Sequence, residues 1–295
     1  MIEIKQVVKK FGKKIAVNNL TTQIGSGITG LVGENGAGKS TLFRLISGVY
    51  IPNNGQITVD GYPHDSKKAK ESVFFLADEP FFNLGDTPST LYKSYATFFD
   101  VDEKKYFSLI KKFGLPKDKT LQTFSKGMRR QAFIAMSLSI NVKYLLLDEA
   151  FDGLDPLVLE SIKDEISQKA KTGASIVIST HNISLLDKLA DQFIVLSRGR
   201  LANTKENVDQ ADMMIKVQLL FKKDHPIEDF QNVGIDIFQM EKIGSITHIV
   251  LLDDAELENK INQIEKPVLM ERIPLSREDT IKLVMQSAKG GKQNV

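Results

Sequence analysis

Gly33-Glu34-Asn35-Gly36-Ala37-Gly38-Lys39-Ser40-Thr41 restricts this chain more than any other stretch, because it satisfies every fixed position of the phosphate-binding pattern G-x-x-x-x-G-K-[ST]. Ile28-Thr29-Gly30-Leu31-Val32 ahead of it reads as a short buried strand. Leu42 to Ser47 behind it reads as a helix that Gly48 can stop with a left-handed cap. Strand, glycine loop and helix N-terminus together make an anion cradle. The glycines let successive N–H groups turn inward, and the helix end adds partial positive charge where phosphate would sit. Lys39 can reach the β- and γ-phosphates, and the Ser40 hydroxyl is placed to ligand Mg²⁺.

Composition narrows the possibilities around that loop. A length of 295 residues allows one large or two modest domains, and 42% hydrophobic with 26% charged residues is ordinary for a globular protein. A net charge of +2 gives no broad basic surface, so nucleic acid is not expected as a partner. With no cysteine there is no disulfide, thiol catalysis or thiolate metal site. His64, His181, His225 and His248 show no metal-ligand spacing. No targeting peptide is read at the N-terminus, and no apolar run approaches the roughly 18 residues that span a bilayer.

Along the chain, residues 1–32 read as strands and turns, with Phe11-Gly12 a turn whose ring can stack on adenine. Gln56 to Val59 and Val73 to Leu76 are further strands, the latter ending at Ala77-Asp78-Glu79-Pro80. Residues 86–140 switch to helical periodicity, roughly 88–99, 103–113 and 126–140, with Ser125 as the last N-cap. Strand and helix then alternate: strand 144–147 ending in Asp148-Glu149, helix 156–171, strand 176–179 ending in Thr180-His181, helix 184–190 and strand 193–196. Such alternation predicts a largely parallel sheet with its ligand at the strands' carboxyl ends. The glycine loop, Asp148-Glu149 and His181 all fall at such ends. Residues 205–295 read as a small α+β appendage, with strands 215–221, 235–243, 245–252 and 268–273, helices 255–264 and 277–287, and a disordered tail from Lys289.

The sequence resembles the nucleotide-binding subunit of an ABC (ATP-binding cassette) transporter over residues 1–205. The motifs run in the family's order: Phe11, the loop at 33–41, a glutamine-loop position at Asp78, the signature Phe124-Ser125-Lys126-Gly127-Met128-Arg129-Arg130-Gln131, the Asp148-Glu149 pair, Gly153-Leu154-Asp155 and His181. The resemblance implies an α/β P-loop cassette over 1–204, with a mainly parallel core, an antiparallel β region and a helical subdomain at about 81–140. An accessory domain at 205–295 follows. It implies ATP and Mg²⁺ as cofactors, with Phe11, Val17 and the whole loop on the nucleotide, and Ser40, Asp78 and Asp148 on the metal. Glu149 would activate the attacking water and His181 would sense the γ-phosphate. Ser125, Lys126, Gly127 and Met128 would meet the nucleotide held by a second cassette, in a head-to-tail homodimer or heterodimer around two ATP. A separate transmembrane permease would hold the chain at the inner face of the membrane, with Phe81-Phe82-Asn83-Leu84 as its docking surface.

Two departures stand out. Lys126 and Met128 replace a glycine and a glutamine of the family signature, a form found among exporters of peptides and peptide antibiotics. Asp78 replaces a glutamine, and a carboxylate there predicts unusually strong dependence of nucleotide binding on Mg²⁺. Competing readings are a soluble ATPase of this class acting on ribosomes or DNA, and a regulatory cassette with little turnover. The single cassette and near-neutral charge oppose the first, and Glu149 with His181 opposes the second.

Overall fold

The computed structural model describes residues 1–202 and 213–288, in two compact units, Met1–Leu201 and Ala202–Val295. The boundary expected between residues 204 and 205 and the tail from Lys289 lie outside the described residues. In chain order the first unit runs β1 (Ile2–Phe11), β2 (Lys14–Ile24), β3 (Gly27–Val32), α1 (Lys39–Ile46), β4 (Asn54–Val59), β5 (Tyr62–Pro63), α2 (Lys67–Ser72) and β6 (Val73–Leu76). It continues through α3 (Pro88–Ala96), α4 (Glu103–Lys112), α5 (Lys126–Ser139), β7 (Tyr144–Asp148), α6 (Pro156–Lys171), β8 (Ser175–Thr180), β9 (Gln192–Ser197) and β10 (Arg200–Leu201).

These strands form two sheets. One is antiparallel, in the order β2-β1-β4-β5. The other has the order β10-β9-β3-β8-β7-β6 and is parallel except for β10, which returns through Arg198-Gly199. Both turn residues have positive φ, 49° and 77°, as a two-residue hairpin requires. Alternate residues of β7 and β8 enter different cores. Leu146 and Val177 pack with Ile4, Leu20 and Phe43 on the antiparallel-sheet side, while Leu145, Leu147, Ile176 and Ile178 pack with residues of α5 and α6. A parallel sheet covered on both faces has continuous apolar strands, which is why Tyr144-Leu145-Leu146-Leu147 shows no alternation.

The helical segment at α3–α5 follows the predicted periodicity, and each helix is capped by its preceding polar residue. The Thr87, Asp102 and Ser125 side chains accept from Thr90, Lys105 and Met128 N–H respectively. Helix 184–190 does not form. The chain makes a three-residue 3₁₀ turn, Ile183–Leu185, followed by further i→i+3 bonds such as Leu189 N–H to Leu186 O at 2.9 Å. Ile183, Leu186, Leu189 and Ala190 are the buried residues, and Leu186 O accepts from both Leu189 and Ala190 N–H, so the stretch mixes i→i+3 bonds with an i→i+4 bond and does not continue as an α-helix. The short, highly charged α2 was not read in the sequence.

The second unit contains β11 (Met214–Leu220), α7 (Ile227–Asn232), β12 (Ile237–Ile243), β13 (Ile246–Leu252), α8 (Leu257–Ile264), β14 (Leu269–Ile273) and α9 (Arg277–Ser287). Its sheet is antiparallel in the order β12-β13-β11-β14, and it has its own core around Phe230, Val217, Leu219, Ile249, Leu257 and Ile261. The strand expected from 235 begins at 237, because Gly234 turns left-handed at φ 76° and Ile235 packs back beneath α7. No described helix is long and apolar enough to cross a membrane.

Candidate active site

Parallel register gathers the chemistry at one edge. Val32 of β3 pairs with Thr180 of β8, Asp148 of β7 with Ser179, and Leu76 of β6 with Leu147. The segments leaving those strands therefore bring the glycine loop, His181, Glu149 and Asp78 to the same side of the sheet.

The glycine loop is built by close backbone approach. A Cβ at Gly33 would lie 2.5 Å from the Leu196 carbonyl oxygen, and one at Gly38 the same distance from that of Ala16. Gly38 also has φ 109° at the N-cap of α1, a conformation that excludes ordinary side chains. Lys39 folds back beneath the loop. Its Nζ donates to the Gly33 carbonyl at 2.6 Å and pairs with Glu149 Oε1 at 3.1 Å. A cavity of roughly 310 Å³ opens above, lined by Phe11, Lys14, Ala16, the loop residues Glu34, Asn35, Gly36, Gly38, Lys39, Ser40 and Thr41, and by Asp78 and Glu149. Gly33 and Ala37 lie within the backbone of this cradle, Ala37 being buried.

Asp148 is buried at the end of β7, where its Oδ1 accepts from the Ser179 hydroxyl. Its Oδ2 is buried without a hydrogen-bond partner. Burial raises its pKa, as does the charge of Glu149. The hydroxyls of Ser179 and Ser40 oppose this, Ser40 lying close without completing an ordinary hydrogen bond to Oδ2. A buried carboxylate oxygen with no partner beside a loop hydroxyl fits a hard cation.

Glu149 follows with φ 45°, a left-handed backbone that costs a non-glycine residue roughly 1–2 kcal/mol and so must be held. Its N–H donates to Ser179 Oγ at 3.0 Å, and its carbonyl accepts from Arg130 Nη1. Its side chain, 13% exposed, lies between Lys39 and His181, with Oε2 at 3.2 Å from His181 Nδ1. Asp152 Oδ2 lies 4.0 Å from the same nitrogen, and burial followed by the charge of Glu149 raises the Asp152 pKa.

One expectation meets a different arrangement. Val17 is 1% exposed and belongs to the core, so it offers the nucleotide no surface. Strand alternation turns it inward and gives the cavity wall to its neighbour Ala16, with Lys14 on the same face. Asp78 lines the same cavity as Ser40. Its Oδ1 accepts from Arg130 Nη2 at 2.6 Å, a charge-assisted hydrogen bond. Ser125, Lys126, Gly127 and Met128 are not among the residues that line this chain's own cavity, and the expectation for them concerns the nucleotide of a second cassette. Ser125 caps α5, and Gly127 approaches the Gly153 carbonyl so closely that a Cβ would stand 3.0 Å from it. Phe11 remains half-open, edge-on to Tyr50 at 5.3 Å.

Sequence reading missed Ser179, Arg130 and Asp152. Ser179 is one of three hydroxyl residues in β8, with Ser175 and Thr180, and Arg130 lies inside the signature stretch. Their partners come from other strands, so spacing carried no signal for them.

This geometry defines a P-loop nucleotide hydrolase, and comparison with known proteins gives its family. The ABC transporter profile matches residues 17–152. The chain is 31% identical over 209 residues to the ABC transporter ATP-binding protein YdbJ of Bacillus subtilis, covering 68% of each. It is 28% identical to the lantibiotic transport ATP-binding protein SrtF of Streptococcus pyogenes, over 76% of this chain and 99% of that one. It is 29% identical to the linearmycin resistance ATP-binding protein LnrL of Bacillus subtilis, over 89% and 85%. A solved ATP-binding subunit of an ABC transporter superposes with TM-score 0.65 at 24% identity, covering 71% of this chain and 92% of that one. A dimeric ATP-binding cassette in a post-hydrolysis state with ADP and Pi gives 0.61 at 20% identity, covering 68% and 96%.

The chain belongs to the ABC transporter ATP-binding proteins, and it is an ATP-binding ATPase subunit of that family.

Proposed function

We propose that two cassettes close head-to-tail around two Mg-ATP and drive a separate transmembrane exporter of peptides or antibiotics from the inner face of the membrane. The observation that carries the reading is the separation of the signature from the phosphate cavity of its own chain, with Ser125 exposed at the N-terminus of α5. A second cassette's signature helix can then approach the nucleotide, and ATP would stabilise the closed pair by binding it better than the open one. The exposed Leu157, just after Asp155, suits an intersubunit surface. Phe81 and Leu84 are also exposed, while Phe82 packs against the core and beneath Arg129, so Phe81 and Leu84 are the contacts offered to the permease. Export of antibiotics or peptides follows the lantibiotic and linearmycin proteins among the relatives.

In this mechanism the loop N–H groups and Lys39 hold the β- and γ-phosphates. Asp148 and Ser40 would hold Mg²⁺, which would supply positive charge to the phosphate oxygens. Glu149 takes a proton from the attacking water as the bond between phosphorus and the β,γ-bridging oxygen breaks, giving ADP and phosphate. His181 orients Glu149 and stabilises charge at the γ-phosphate edge. The test is capture of partners on tagged Glu149→Gln with Mg-ATP in mild detergent, bound chains being identified by mass. A stoichiometric polytopic membrane protein is the expected result. Ribosomal or DNA-associated chains with no membrane protein would overturn the transport reading.

A further inference from the structure

We infer that Arg130 is a positioning residue for Glu149, and that Asp78 serves as its counter-charge instead of as a metal ligand. The inference rests on the reading of Glu149 as the base. Arg130 stands on α5, and its guanidinium spans two strand ends. One nitrogen donates to the Glu149 carbonyl, and the other donates to the Asp78 carbonyl at 3.0 Å and to its carboxylate at 2.6 Å. A planar fork with donors in fixed directions can make all these bonds at once, which an ammonium on a flexible stem cannot.

What the fork holds is a strained peptide. Glu149 sits at φ 45° and is tied at both ends, by Ser179 on its N–H and by Arg130 on its carbonyl. A left-handed residue of this kind persists only when its surroundings over-determine it. The same backbone turn aims the carboxylate between Lys39 and His181. Releasing the carbonyl would let the peptide relax toward ordinary φ and swing the carboxylate away from the reacting water. Asp78 enters because a guanidinium that is only 18% exposed needs an anion, and Asp78 is the one bonded to it. The unusual carboxylate at this position is thereby accounted for without metal coordination.

The test is a double-mutant cycle on the full chain, read by steady-state ATP hydrolysis and Mg-ATP binding. Arg130→Ala should lower kcat by about tenfold or more while KM and the Mg-ATP Kd change less than about threefold. Asp78→Ala should lower kcat by about threefold, less because the Asp78 carbonyl still accepts from Arg130. The double variant should match Arg130→Ala alone. Arg130→Lys should fall between wild type and Arg130→Ala, which keeps the test open should the alanine variant fail to fold. The inference is overturned if Arg130→Lys matches wild type, if the two alanine effects multiply, or if Asp78→Ala raises the Mg²⁺ requirement with kcat intact. Glu149→Gln measured in parallel separates the two readings. If it remains active the base assignment fails; if it is inactive while Arg130→Ala hydrolyses normally, only the role of Arg130 fails.

Discussion

Each unit contains a histidine held by carboxylates, and the two are built for different ends. In the first unit His181, 49% exposed, meets Glu149 through Nδ1 at a strand end. Glu149 itself is shared with Lys39 and carried on a strained peptide. In the second unit His225 is clamped on both ring nitrogens, by Asp229 at 2.8 Å and Glu265 at 2.9 Å, with its ring edge-on to Phe221. The hydrogen bond from the His225 ring to Glu265, then that to Asp229, raises the His225 pKa against the opposing effect of burial. The first arrangement is carried on a strained backbone, and its Glu149 lines the cavity. The second satisfies both nitrogens without a strained backbone, which stabilises a fold and leaves nothing for a substrate.

The sharpest way to break this contrast is Glu149→Gln, which should lower kcat by about 10²–10⁴-fold while Mg-ATP still binds. Survival of turnover in a hydrolysis assay would remove the functional half of the comparison. Next comes the core of the second unit. Leu257 is buried with Phe230 and Ile261, and Leu257→Ala should cost about 2–5 kcal/mol of that unit's stability. Thermal unfolding followed by calorimetry should show this loss, with kcat of the remaining folded protein unchanged.

The smallest effect concerns pH. A histidine whose folded pKa lies above its unfolded value near 6.5 contributes stability that is fully present below 6.5 and is lost as pH rises through the raised value. His225→Gln should therefore lower the unfolding temperature most just below pH 6.5, where the imidazole is charged and Glu265 is still ionised, and flatten its dependence above 6.5. An equal loss at every pH would mean that the two carboxylates act only through packing.

The order of elements was legible because its signals are local. Val73-Phe74-Phe75-Leu76, the helix from Pro156 to Lys171 with Gly173 beyond it, and the hairpin at Gly244 all follow from runs, caps and turn residues within a few positions. The turn at Ile183 was misread because a spacing of three in so short a stretch does not separate a 3₁₀ turn from an α-helix. The glycine loop was legible for the same local reason, since its glycines and Lys39 occupy adjacent positions.

What sequence alone determined was thus the P-loop ABC cassette, and the placement of the glycine loop, Asp148, Glu149 and His181 at the carboxyl ends of its parallel strands. What only the tertiary structure decided was which side chains meet. Strand alternation buried Val17 and gave its place at the cavity to Ala16. Parallel pairing brought Ser179 beneath Asp148 and Glu149, and the packing of α5 set Arg130 between Asp78 and Glu149. Asp78 and Arg130 are 52 positions apart, so their ion pair exists only once the sheet and the helix have packed. Charge pairs form with the nearest partner in space, and a linear sequence does not record that distance.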